Sequence, residues 1–160
     1  MWRPDAPINV YTVRAEDTFK YTGNRLYERL EFAKRMSDKF GFEYTHVLMH
    51  IGESGNLVGT TTAEFKDDYA SVNSGLTSLG IDAPRFIGRV SYVPWATPNY
   101  SAAIIQAQNE IIAQYPNTFE GPDTDLMVDA AYRHDGLHFS TYGLNQLAAL
   151  WAAYIKSPAP

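Results

Sequence analysis

The chain contains no cysteine among its 160 residues. Disulfides, thiolate metal sites and a cysteine nucleophile are therefore excluded, while the compartment stays unassigned. No stretch of 18 consecutive apolar residues occurs, so no segment is expected to cross a membrane as a helix. The opening residues Met1-Trp2-Arg3-Pro4-Asp5 lack the apolar core of a signal peptide, which leaves secreted and cytoplasmic locations both open. Positive charge is scarce as well. The 13 Lys and Arg are outnumbered by 18 Asp and Glu, for a net charge of −5. That balance argues against nucleic acid as a partner, because a polyanion demands a basic surface. Neither G-x-G-x-x-G nor G-x-x-x-x-G-K-[ST] is present, which disfavours a nucleotide- or phosphate-binding module. What remains is 45% apolar and 14% aromatic, a composition expected of one globular domain over residues 1–160.

Short apolar strands alternate with longer helical patterns. Ile8 to Val13 reads as a strand, followed by a helix from near Asn24 with Leu26, Leu30, Ala33 and Phe40 on one face and Gly41 as its stop. Tyr44 to Ile51 reads as a strand buried on both faces, and Gly52 to Thr60 as a glycine-containing loop. Thr61-x-x-Glu64 is a capping box opening a helix with Phe65, Tyr69, Val72, Leu76 and Leu79, closed by Gly80. A strand from Arg85 to Ser91 and a loop from Tyr92 to Tyr100 follow. Ser101 then caps a helix carrying Ile104, Ile105, Gln108, Ile111 and Ile112. A strand near Thr118-Phe119, a long loop through Gly121 and Asp135, and a final helix from Thr141 to Ile155 complete the chain. In that last helix Leu144, Leu147, Trp151 and Tyr154 are expected to face inward. The β-α-β-α-β-α-β-α order predicts an α/β fold with a parallel sheet and helices on both faces.

In such a sheet the ligand crevice lies beyond the carboxyl ends of the strands. Those ends are the loops at 14–22, 52–60, 92–100 and 120–139. Asp135-Gly136-Leu137-His138 falls in one of them. A carboxylate on Nδ1 of an imidazole fixes its tautomer and frees Nε2 to accept a proton from a nucleophile. Gly52-Glu53-Ser54-Gly55-Asn56 falls in another, where backbone N–H groups can meet an oxyanion or a substrate. Arg133 is a candidate for a substrate carboxylate or an internal acid, and Trp95, with Tyr92 and Tyr100, for stacking on a sugar ring. Each motif also has a plain structural reading, as turn residues, an ion pair or rim packing. Metal catalysis is not expected. His46 and His50 stand about 13 Å apart along a strand, and His134 and His138 lack a helical H-E-x-x-H context.

Together these segments resemble the sialate O-acetylesterase-like branch of the SGNH (GDSL-type) hydrolases. Val47-Leu48-Met49-His50-Ile51-Gly52-Glu53-Ser54 is similar to that family's strand and Gln-Gly-Glu-Ser loop. Gln106 to Glu110 resembles its Gln-bearing helix. Gly121-Pro122-Asp123-Thr124-Asp125, Arg133 and Asp135-Gly136-Leu137-His138-Phe139-Ser140 resemble its terminal block, 85 residues separating Glu53 from His138. The likeness spans about residues 24 to 156. It implies a flavodoxin-like three-layer α/β/α fold and hydrolysis of an ester, commonly an O-acetyl group on a carbohydrate, without a cofactor. His138 would be the general base, Asp135 its orienting partner, and the loop at Gly52, Glu53 and Asn56 part of the site.

Two departures accompany the resemblance. Ile51 stands where the family has Gln, and residues 1–43 contain nothing like the family's Gly-Asp-Ser nucleophile block. The chain looks N-terminally shortened, as if lacking the first βα unit. Ser54 is the one local candidate nucleophile. The alternatives are a catalytically incomplete carbohydrate-binding remnant and the partner half of a split esterase. A missing strand would expose a sheet edge, to be covered by a homodimer partner, an N-terminal segment or local rearrangement.

Overall fold

The computed structural model describes residues 25–157. The expected strand at Ile8–Val13 and the crevice loop at 14–22 lie outside the described residues. The first helix, α1, runs Arg25–Phe40 and ends at Gly41, whose φ of +70° is the left-handed conformation that stops helices. It is followed by β1 (Val47–Met49), α2 (Glu53–Val58), α3 (Thr62–Ser78), β2 (Arg85–Arg89), α4 (Ala102–Gln114), β3 (Thr118–Asp123) and α5 (Thr141–Lys156). A single 3₁₀ turn, Thr124–Leu126, follows β3 directly.

The strands form one parallel sheet in the order β1-β2-β3. Because the order steps in one direction, crossovers of one hand place α3 and α4 on the same face. Side-chain alternation along β3 separates the two faces. Thr118 points toward α3, where its hydroxyl pairs with that of Tyr69 at 3.1 Å. Phe119 points the other way and meets Phe86 on β2. Gly121, on the same side as Phe119, lies under the indole of Trp151 on α5; a Cβ there would stand 2.6 Å from the ring. The protein is therefore an α/β chain compatible with a three-layer α/β/α arrangement.

The main core lies under α3 and α4. Phe65, Tyr69, Val72 and Leu76 of α3 pack with Met49, Ile87, Ile104, Ala107 and Ile111, and Leu30 of α1 joins from the side. This is the face expected from the helical spacing. The Thr61 capping box is complete, its hydroxyl accepting from the Glu64 N–H while the Glu64 carboxylate accepts from the Thr61 N–H.

Four local expectations are corrected. Residues 53–58 form a short helix rather than an open loop, because Gly52 and Gly59 both supply positive φ at its ends. The strand at 44–51 is only three residues long, and Leu48 is 46% exposed, since no described helix covers β1 on that side. Leu144 is 55% exposed, because the buried side of α5 is the one carrying Gly143 and Leu147, with Trp151 over Gly121. Phe40, at the frayed end of α1, is exposed as well.

Candidate functional site

The end of β1 passes into α2 at a point where only glycine fits. A Cβ on Gly52 would fall 1.7 Å from the Val90 carbonyl oxygen, inside any possible contact. This close approach is held by Gln108 of α4, fully buried on that helix's apolar face. Its Nε2 donates to the carbonyls of Ile51 and Val90, both at 3.0 Å, and its Oε1 accepts from the Val90 N–H at 3.1 Å. One side-chain amide thus satisfies the backbone groups that strand pairing leaves open where β1 and β2 diverge.

Beyond β2 the chain runs on through Ser91 and Tyr92 before turning at Pro94 and Trp95. The buried Asp125 carboxylate holds this segment, accepting from the N–H groups of Ser91 and Tyr92, both at 2.8 Å, and from the Ser91 hydroxyl at 2.6 Å. The Ser91 oxygen in turn accepts from the Ser101 N–H at the start of α4. Asn56, on α2, donates from Nδ2 to the carbonyls of Ser91, Asn99 and Pro98 at 2.8, 3.0 and 3.4 Å. Its side chain therefore anchors the 91–99 loop and does not turn toward an oxyanion. Asn99 closes the same loop on the Pro94 carbonyl at 2.7 Å.

The terminal block is a small antiparallel hairpin. Arg133 pairs with Phe139, the His134 N–H donates to the His138 carbonyl, and the Ser140 N–H donates to Tyr132. Gly136, with φ of +86°, makes the tip. Asp135 organises that tip through one oxygen, which accepts from the N–H groups of Leu137 and His138 at 2.9 and 2.7 Å. Its other oxygen lies 2.6 Å from Nδ1 of His138. The ring hydrogen bond, followed by those backbone N–H groups, holds the Asp135 carboxyl well below the usual carboxylate range. The pair is open to solvent, Asp135 being 44% and His138 59% exposed in their side chains. Nε2 of His138 makes no hydrogen bond among the described residues. Ser140 caps α5 just after the hairpin, its hydroxyl accepting from the Gly143 N–H at 3.0 Å.

Arg133 lies beneath this hairpin and is 2% exposed. Its guanidinium donates to the carbonyls of Met127 at 2.7 Å, Thr124 at 3.0 Å and Leu137. The rings of Phe139 and Tyr92 flank it at 4.4 and 5.2 Å. Burial pulls the guanidinium below its ordinary value, while Glu53 and Asp125 oppose that pull. The sequence reading assigned Arg133 to a substrate carboxylate or an internal ion pair. In the structure three of its N–H donors go to backbone carbonyls and its side chain is buried, so it supports the Asp135 turn from below.

The segment ahead of α2 reaches the hairpin through His50, whose Nε2 lies 3.7 Å from the Glu53 carboxylate. The His50 ring contacts Phe139 edge-on at 5.9 Å. Ser54 occupies the first turn of α2, half-buried, and no hydrogen bond joins it to His138 among the described residues. Trp95 projects from the anchored 91–99 loop and is 58% exposed. Ser91 and Asn99 belong to the site's framework but were not singled out in the sequence, where Asp125 stood only within the Gly121–Asp125 block and His50 only in the 47–54 segment and as a dismissed metal ligand. Gln108 left a signal there, an amide on an otherwise apolar stripe.

Among the described residues no group of three His, Asp or Glu side chains is placed to hold a metal ion, and no helix is long and apolar enough to cross a membrane. No protein-family model matches the chain, and neither does any curated protein or solved structure.

Proposed function

We propose that the chain is a carboxylic-ester hydrolase of the SGNH type, acting on acyl groups, above all O-acetyl, carried by a carbohydrate. The observation that carries this reading is the Asp135–His138 pair, 2.6 Å apart at a glycine-tipped turn beyond the sheet's carboxyl ends. With Nδ1–H donating to Asp135, Nε2 is the basic atom and faces solvent. It would take the proton of an attacking hydroxyl, and return it to the departing sugar oxygen as the acyl group is transferred. A water molecule, deprotonated at the same nitrogen, would then release the acid. The first N–H groups of α2, at Glu53 and Ser54, have no acceptor within the helix and could meet the oxyanion. Ser54 is the nucleophile candidate that the chain itself supplies.

A second reading is favoured by two observations: Ser54 is not hydrogen-bonded to His138, and β1 has a strand neighbour on one side only among the described residues. In that reading the chain is a carbohydrate-binding remnant or one half of a split esterase, and a hydroxyl from elsewhere completes the site.

Hydrolysis of an acetyl ester by the wild type, Ser54→Ala and His138→Ala separates these readings. Loss in both variants supports Ser54. Loss in His138→Ala alone points to another nucleophile. No turnover by the wild type, with activity restored by a separately supplied nucleophile-bearing fragment, supports the split enzyme. Sugar binding without any turnover supports the remnant.

A further inference from the structure

The 91–99 loop is held far more firmly than a connection needs. Asn56 ties three of its carbonyls, Asn99 ties Pro94, and the Val93 N–H donates to the Asn99 carbonyl at 2.8 Å. Its backbone is therefore set before any ligand arrives, which lowers the ordering cost of binding. At the loop's beginning, the Pro94 ring lies 3.5 Å from where a Cβ on Gly136 would stand, so the loop abuts the turn carrying Asp135 and His138. In its middle it displays the Trp95 indole to solvent. At its end, Thr97 and Pro98 line an open cavity of about 490 Å³, within the size range of ligand sites.

That cavity has a distinctive chemistry. Its surface is mostly apolar, with Ala63, Pro98, Ala102 and Ala103 among the lining residues, and no charged side chain lines it. Asn56, Thr61, Thr62 and Ser101 also line it, but their side chains already bond loop carbonyls, Glu64, the Ala103 carbonyl and the Ile104 N–H. The Thr60 hydroxyl is buried without a partner, and with that of Thr97 it is left for a ligand hydroxyl; an uncharged, mostly apolar recess with such groups suits a neutral ligand rather than an ion. An aromatic face suits the apolar C–H face of a pyranose. One rigid loop thus joins a flat apolar surface and an uncharged recess to the candidate base.

We infer that the Trp95 loop and the Thr97–Ser101 recess form a track for a neutral oligosaccharide, several sugar units long, with its acylated unit at His138. This rests on the ester-hydrolase reading for what happens at His138, but the track itself stands or falls on binding. Specificity then comes from glycan length and neutrality, not from the acyl group alone.

Ligand-observed NMR on the full chain tests the track, using neutral mono- and tetrasaccharides of the gluco, xylo, manno and galacto series. At least one tetrasaccharide should bind at least tenfold more tightly than its monosaccharide. Trp95→Ala, which removes the platform, and Ala63→Trp, which fills the recess from an exposed position, should each weaken it roughly tenfold. In turnover, each variant should also lose its preference for an acetylated tetrasaccharide over p-nitrophenyl acetate. Binding of charged glycans alone, no binding of any neutral tetrasaccharide, or unchanged binding by both variants would overturn the inference. If no ester is turned over yet binding behaves as expected, the hydrolase reading fails and the track stands.

Discussion

The hairpin at 133–140 and the junction where β1 and β2 meet α2 are built on opposite plans. Around Asp135 and His138 the shaping hydrogen bonds span two or three residues, and both side chains are largely open to water. At the junction the partners are far apart in sequence: Gln108 reaches Ile51 across 57 positions, Asn56 reaches Ser91 across 35, and Asp125 reaches Ser91 across 34. Gln108 and Asp125 are buried there. The contrast assigns different tasks. On the proposed reading the exposed turn carries the chemistry, and the buried network fixes the surfaces around it. Arg133 connects the two, binding Leu137 in the turn and Thr124 beside Asp125.

If this division holds, substitutions should fall into two classes, activity without stability or stability first. The largest effect belongs to the dyad. In a catalytically competent chain, Asp135→Asn should lower kcat/KM by roughly 10⁴-fold by stabilising the wrong tautomer of His138. Its thermal unfolding should stay close to wild type, because the group is solvent-exposed; a large drop in melting temperature would break the contrast. Arg133→Met should behave oppositely, losing about 3–5 kcal/mol in urea unfolding as buried carbonyls lose their donor. A loss below about 1 kcal/mol would show that water replaces the guanidinium without difficulty. Asp125→Ala strands two buried N–H groups and the Ser91 hydroxyl, and should cost about 2–3 kcal/mol by the same measurement. Ser140→Ala, which removes the α5 cap and the hydroxyl's bond to the Ala131 carbonyl, should cost about 1–2 kcal/mol.

The pH response sharpens the same comparison with the smallest effect. Asp135 is held below its ordinary value of 3.8 by His138 and the turn's N–H groups. A depressed carboxyl contributes its stabilisation above the unfolded value and loses it as pH falls through the folded one. The turn should therefore persist through neutral and mildly acidic conditions and loosen only below pH about 3.8. A carboxyl-carbon NMR titration should place Asp135 below other aspartates, and His138→Ala should move it back toward them. Ordinary titration of Asp135 in the wild type would mean that the pairing is absent in solution.

The helices were legible where local signals agreed. The Thr61–Glu64 box, the α3 stripe from Phe65 to Leu76, and the Ser101 cap all stand as their spacing implied. The dyad was legible for the same reason, since a D-x-x-H turn needs only its own backbone to bring carboxylate and ring together. The short helix at 53–58 was not legible. A run of Gly, Ser and Asn has low helix propensity, and that helix is held from outside, by Gln108 at its start and by the ties of Asn56 to the 91–99 loop. Leu144 misled because its spacing fits an inward stripe, while the side of α5 that is buried carries Gly143 and Leu147.

By itself, then, the sequence determined what depends on neighbours within a few residues: helix caps, apolar stripes, the parallel alternation of elements, and the Asp135–His138 pairing. Tertiary structure alone decided that Arg133 is a buried support, that Asn56 anchors a distant loop, and that Trp95 is presented on a loop that abuts the Gly136 turn. The physical reason is reach. A buried guanidinium or amide takes the backbone groups that packing leaves unsatisfied, and which groups those are is settled only when strands far apart in the chain come together.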